Sequence, residues 1–469
     1  MLRMHFSDRR LLLVLILGLL IPRIFVLLDP QILPDLDEAA LGIHVQKWIQ
    51  GTHVSFFFPG QTHSFVFPEM LLLAPLLAIF PGSFVVLKIV PLLFFLGAMV
   101  LLFFAIPEHQ RKQSVFLLLL VSLLPTSIIW SMKLRGGYVP ALFFCCLILW
   151  IRNRSRPSAL NDFFVGWAMA WMFMSHTLMA VFFVFPIAYS YVVKEFRRTE
   201  IFPGMIGLVV GFVFQFVGKK PENLFPPDTA RLAEGFSLFR LPSDLATFID
   251  GKWIFWSYGE VGWQTICYGI LALFVIWSLF RREGIHRLFI STMGFAMLSF
   301  YGMFQPFPLR YFVPFLFALF IFTATVPLPA FSLRWILSIL GLNFILFFLT
   351  PFHHTHLEFS GNSKAAIDAI LIENKGMTSV FVEDESLAYL LHFRAREQQH
   401  FRAKPAYHRF QRDWYDGELA LQQNLPVGLV TQEKHSGLNP SAIIDQWYIY
   451  NFVSRDVLLQ SGFELKEVQ

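Results

Sequence analysis

Residues 11–28 read LLLVLILGLLIPRIFVLL, and after six intervening residues 35–41 read DLDEAAL. The first stretch decides the fold class. It carries a single charge over a length that crosses a ~30 Å hydrocarbon layer as a helix, so it reads as a membrane span. Composition extends that reading to the whole chain. Of 469 residues, 56% are hydrophobic and 15% charged, whereas soluble domains carry roughly 25% charged residues. A soluble globule is excluded. Residues 84–106 repeat the apolar pattern, and Phe alone accounts for 56 positions.

Orientation follows from Lys and Arg, which are retained in cytoplasmic loops. Arg3, Arg9 and Arg10 precede the first span, and no small-residue cleavage site follows before Asp35, so an uncleaved helix with a cytoplasmic N-terminus is expected. Basic loops at 109–112, 152–156, 194–198 and 281–287 should share that side. An even number of crossings must then separate neighbouring loops. Spans are expected near 11–28, 84–106, 114–131, 138–151, 161–175, 178–193, 201–217, 263–280, 288–304, 311–327 and 334–351, about eleven in all. The apolar piece 67–80 is too short to span, and a crossing there would place Arg111 and Lys112 outside. It is expected to lie on the outer leaflet.

The predicted fold class is therefore mostly α: a polytopic transmembrane bundle over residues 1–351, with outer loops 29–83 and 218–262, followed by a small extracytoplasmic α/β domain over 352–469. Within that tail, 378–382 and 426–430 read as buried strands and 384–393 as a helix. The aromatic and Pro-rich loop 29–83, with Trp48, Phe56-Phe57-Phe58-Pro59 and Phe65-Val66-Phe67-Pro68, suggests short helices at the membrane interface, as do Trp253, Phe255, Trp256 and Trp263 in the second loop. The net charge of +5 sits in short loops, so no nucleic-acid partner is expected. Three cysteines form no disulfide framework.

Two outer features carry candidate chemistry. Asp35, Asp37 and Glu38 crowd the start of a helical pattern. Asp35 or Asp37 can cap that helix while Glu38 favours its N-terminal dipole. The same set can supply a general base for a hydroxyl or amine acceptor, or hold a divalent ion beside a phosphate. The second feature is basic residues that run against the inside bias, in Lys133-Leu134-Arg135-Gly136-Gly137 and in Arg310-Tyr311. They are either snorkelling side chains or a phosphate clamp. His176, in a polar turn between two apolar runs, is a site-lining candidate alongside Asp35. His353, His354 and His356 have no accompanying carboxylate or Cys pattern, so no metal site is expected there.

Taken together, the uncleaved first helix, the outer Asp37-Glu38-Ala39, the Arg135 loop, Arg310-Tyr311 before a late span and the terminal α/β domain resemble the GT-C glycosyltransferases. The branch they look most like is that of protein O-mannosyltransferases and the lipid A aminoarabinose transferase. The resemblance implies an Asp-Glu pair at the catalytic centre, here Asp37 and Glu38, and a donor phosphate held by Lys133, Arg135, Arg310 and Tyr311. It implies a polyprenyl-phosphate-linked sugar as donor, a lipid, glycan or protein as acceptor, an inverting displacement with Asp37 as base, and a place in the plasma membrane of the cell envelope. The sequence departs from the branch at Phe67-Pro68-Glu69, where a Pro-Pro-Leu often stands, and it has no second Asp-x-Asp, which leaves metal dependence in doubt. The rival class is a transporter or flippase of a lipid-linked saccharide, which also needs many spans. It does not call for charges gathered at one surface or for a soluble domain.

Overall fold

The computed structural model describes residues 6–28, 33–51, 55–58, 64–154, 158–193, 201–217, 241, 244–245, 284–303, 312–325, 364–395, 400–403, 426–432, 434–435, 438–461 and 463. Helix α1 (Phe6–Leu28) is roughly 35 Å long at 1.5 Å per residue. It buries Leu15 and Leu19 while leaving Leu13, Val14, Leu17, Phe25 and Leu28 exposed. Such a continuous apolar stripe is untenable in water and natural against lipid tails. Helix α4 (Phe84–Ala105) matches it in length and apolarity.

Between them lie α2 (Leu36–Ile49) and α3 (Phe67–Ile79), the latter a helix of 13 residues, too short to span. The bundle continues through α5 (Arg111–Ser122), α6 (Pro125–Ser131), α7 (Tyr138–Arg154), α8 (Ala159–Ser175), α9 (Thr177–Val193), α10 (Ile201–Val217), α11 (Gly284–Met303) and α12 (Phe312–Thr325). The expected single span 114–131 is broken into α5 and α6. Pro125 offers no N–H to Val121 and drives Leu124 into an extended conformation (φ −56°, ψ 132°). The expected spans 263–280 and 334–351 lie outside the described residues, as does loop 218–262 apart from Leu241, Asp244 and Leu245.

Two ends of the bundle can be told apart. At one, the Arg111 guanidinium donates to Asp8, Asn153 Nδ2 donates to the Ala105 carbonyl at 3.2 Å, and the Arg152 guanidinium lies 3.8 Å from the Tyr191 ring centre. The N-terminus and two of the basic loops thus share an end, as the charge pattern requires. At the other end sit α2, α3 and the turn 132–137. The helices α8 and α10 are drawn together by glycine. A Cβ at Gly166 would stand 1.8 Å from the Gly204 carbonyl oxygen, and one at Gly207 would stand 1.9 Å from that of Phe163. Gly207 and Gly211 are spaced as in close-packed membrane helix pairs.

The aromatic segment after α2 differs from expectation. Phe57, Phe58 and Phe65 are buried in the main core rather than spread at an interface, with Phe57 and Phe65 joined as an antiparallel bridge and Phe65 edge-on to Trp171 at 5.6 Å. Burial of three phenyl rings in the core, Phe65 among them against α8, outweighs their suitability for the headgroup region.

The tail is an α/β unit, as expected. Helix α13 (Lys364–Glu373), β1 (Ser379–Val382), α14 (Glu385–Ala395), β2 (His400–Ala403), β3 (Val427–Thr431), β4 (Ala442–Ile444), β5 (Trp447–Tyr450) and α15 (Arg455–Gln460) build a five-stranded sheet of order β2-β1-β3-β5-β4. Strands β2, β1 and β3 are parallel, while β5 and β4 add antiparallel. All residues of β1 and β3 are buried, which is why they read as continuous apolar runs. The unit docks on α2: a Cβ at Gly42 would meet the Phe393 ring at 2.6 Å, Gln46 Nε2 donates to the Phe393 carbonyl, and Arg394 donates to the Gly82 carbonyl at 3.1 Å.

Candidate active site

Helix α2 begins on a capping box. The Asp35 carboxylate accepts from the Glu38 N–H at 2.9 Å, and Glu38 Oε2 accepts from the Asp35 N–H at the same distance. Glu38 is fully buried and does more than cap. Its Oε1 accepts from the Leu134 N–H at 2.9 Å, and Lys88 Nζ donates to Oε2 at 2.6 Å. One carboxylate therefore ties α2, α4 and the turn 132–137 together, and Lys88 balances its charge in a place that excludes water.

The turn brings its cations to the same spot. Lys133 Nζ stands 2.8 Å from Asp35 Oδ2 and 5.8 Å from the Trp130 ring centre. The two guanidinium arms of Arg135 divide between carboxylates, with Nη1 3.5 Å from Asp35 and Nη2 2.7 Å from Asp37. Burial works to raise the Asp35 pKa, but Lys133 and Arg135 together hold it well below the usual carboxylate range. Gly137 permits the turn. Its φ is +80°, and a Cβ there would lie 2.2 Å from the Ser175 carbonyl oxygen.

Asp35, Asp37, Glu38, Lys133 and Arg135, chosen from residues a hundred positions apart, thus form one cluster. The structure assigns them unequal parts. Asp35 and Glu38 take the capping role that the sequence also allowed, whereas Asp37 projects from the first turn of α2 with its carboxylate held by Arg135 alone among the pairs observed. His176 follows α8 as its C-cap, accepts from the Met179 N–H through Nδ1, and has its ring centre 3.8 Å from that of Tyr138 with the two planes tilted by 46°. Arg310 and Tyr311 lie outside the described residues. Among the described residues no group of three His, Cys, Asp or Glu side chains is arranged to hold a metal ion.

Two members escaped the sequence reading. Lys88 is a lone cation in the apolar α4, a pattern that signals a buried partner. Glu69, at the third position of α3, is 1% exposed, and burial pushes its carboxyl up to about 8 against the opposing influence of the Gly137 N–H. Its signal was equally plain: one acid at the head of a 13-residue apolar helix.

The structure as a whole, a helical bundle with an α/β unit docked on α2, has the fold of ArnT from Cupriavidus metallidurans. The chain aligns with ArnT in the apo state at a TM-score of 0.65 and 11% identity, covering 96% of this chain and 99% of that one. With ArnT bound to undecaprenyl phosphate the TM-score is 0.64 at 12% identity, covering 94% and 98%. No protein-family model matches the chain, and no curated protein matches it in sequence.

Proposed function

We propose that the protein is a glycosyltransferase that moves a sugar from a polyprenyl-phosphate-linked donor to a lipid, glycan or protein acceptor at the outer face of the plasma membrane. The observation that carries this reading is the meeting of Asp37 with the Lys133 and Arg135 turn at one end of a GT-C-like bundle. That end is the extracytoplasmic one by the positive-inside rule, since Arg111 and Arg152 mark the other. The tail, docked on α2, is then extracytoplasmic as well.

In the reaction the acceptor hydroxyl or amine gives its proton to the Asp37 carboxylate. Its freed electron pair attacks the anomeric carbon, the bond from that carbon to the phosphate oxygen breaks, and the prenyl phosphate leaves with the electron pair. A single displacement inverts the anomeric centre. Lys133 and Arg135, with Arg310 and Tyr311 as further candidates, stabilise the negative charge of the leaving phosphate. Glu38 and Lys88 hold α2 and the basic turn in register. The displacement balances as written without a metal ion, and in the empty site Asp35, Asp37 and Glu38 each have a cation partner.

The test uses vesicles containing the purified protein and a panel of radiolabelled polyprenyl-phosphate sugars. Loss of label from the carrier by wild type, abolished in Asp37→Asn, is the expected result. Label that crosses the bilayer still attached to its carrier, in wild type and variant alike, would instead establish a flippase.

A further inference from the structure

Among the described residues the charges of this cluster balance. Asp35, Asp37 and Glu38 face Lys88, Lys133 and Arg135, and every cation is within 2.8 Å of a carboxylate oxygen. A phosphate brought to Arg135 adds at least one negative charge to a partly buried, balanced set, where like charges are poorly screened. Some carboxylate must give way. Glu38 cannot, since it is 0% exposed and holds two backbone N–H groups besides Lys88. Asp35 is bound into the capping box and to Lys133. Asp37 holds Arg135 through one oxygen at 2.7 Å and is the most exposed of the three acids, with 18% of its side chain accessible.

We infer that the donor phosphate takes the place of Asp37 on Arg135, so that the catalytic base is masked in the empty site and released by donor binding. This rests on the glycosyltransferase reading above. In the empty site a carboxylate oxygen of Asp37 is occupied by the guanidinium. The phosphate offers the planar guanidinium of Arg135 a pair of acceptor oxygens in exchange, and the Asp37 carboxylate is left open to the acceptor. The acceptor is thus deprotonated only once the sugar donor is in place.

The experiment measures binding of undecaprenyl phosphate in detergent to wild type, Asp37→Asn, Arg135→Gln and the double variant. Removing the competitor should tighten binding by about tenfold or more, the factor associated with one charge-assisted hydrogen bond. The gain should vanish in the Arg135→Gln background. Equal or weaker binding by Asp37→Asn, or a gain that persists without Arg135, overturns the exchange. Absence of binding by every form, wild type included, would count against the glycosyltransferase reading itself. Should Asp37→Asn fold poorly, the wild type answers alone: with isotope-labelled aspartate, adding undecaprenyl phosphate should shift an aspartate carboxylate band in the infrared difference spectrum. An unchanged carboxylate region with saturating ligand would show that Asp37 stays on Arg135.

Discussion

Asp37 and Glu38 are adjacent in sequence and opposite in circumstance. Glu38 points into the bundle and is saturated by three donors, while Asp37 meets only the tip of Arg135 among the pairs observed. Asp37→Asn is expected to lower transfer by roughly 10² to 10⁴ with the fold intact, the range typical of a lost positioned base; the radiolabel assay and a thermal melt together check it. Glu69 makes a separate prediction about pH. Its folded pKa of about 8 is above the ordinary value of 4.5, so between those values the unfolded chain releases a proton that the folded chain keeps. Its contribution therefore weakens stability progressively from about pH 4.5 upward and levels off above about pH 8. Glu69→Gln should flatten that slope and raise the melting temperature most at alkaline pH. A wild-type slope retained in the variant would assign the effect to another group.

At the scale of elements, the start of α2 was readable because Asp35 and Glu38 stand three residues apart, the spacing of a reciprocal cap. Lys88 was not readable as its partner. Fifty positions separate it from Glu38, and only the crossing of α4 behind α2 makes them meet. Lys88→Met should leave a buried unpaired carboxylate and destabilise the protein by about 3–5 kcal/mol, with much of the loss recovered in the double variant with Glu38→Gln. Chemical or thermal unfolding in detergent measures this, and a non-additive cycle is the expected signature. The α8 and α10 contact makes a second prediction. Gly207→Val has no room beside the Phe163 carbonyl, so the helices must separate, at a cost of about 1–3 kcal/mol or more. A glycine such as Gly294, with nothing near its Cβ position, should accept Ala with little change.

For the whole molecule, the notable feature is that the tail's α14 packs directly on α2, the helix that carries Asp37. Phe393 fills the space over Gly42 and stacks on Phe84 with centroids 5.8 Å apart, and Arg394 bridges Asp368 to the Gly82 carbonyl. Phe393→Ala should cost about 3–5 kcal/mol, as large-to-small core changes do. It should also lower transfer, because the rear support of α2 is lost. Protease sensitivity and the radiolabel assay measured on the same preparation would check both, and an unchanged rate with a loosened tail would show that α2 holds its own position. Reporter fusions after residue 351 and at the N-terminus should report opposite sides of the membrane.

The sequence by itself determined the membrane class, the α/β tail and the two clusters of charged residues around Asp37 and Arg135. Each of these is written in local features: apolar length, loop charge, strand-length apolar runs and short motifs. Only the tertiary structure decided that Glu38 is a buried hub, that Lys88 neutralises it, that Glu69 is enclosed beside Gly137, and that the aromatic segment around Phe57 is core. The reason is that burial and ion pairing depend on which distant segments cross. The span at 114–131 shows the complementary case, in which Pro125 was visible in the sequence but its consequence, a broken helix presenting Lys133 and Arg135 to α2, took shape only in the packed bundle.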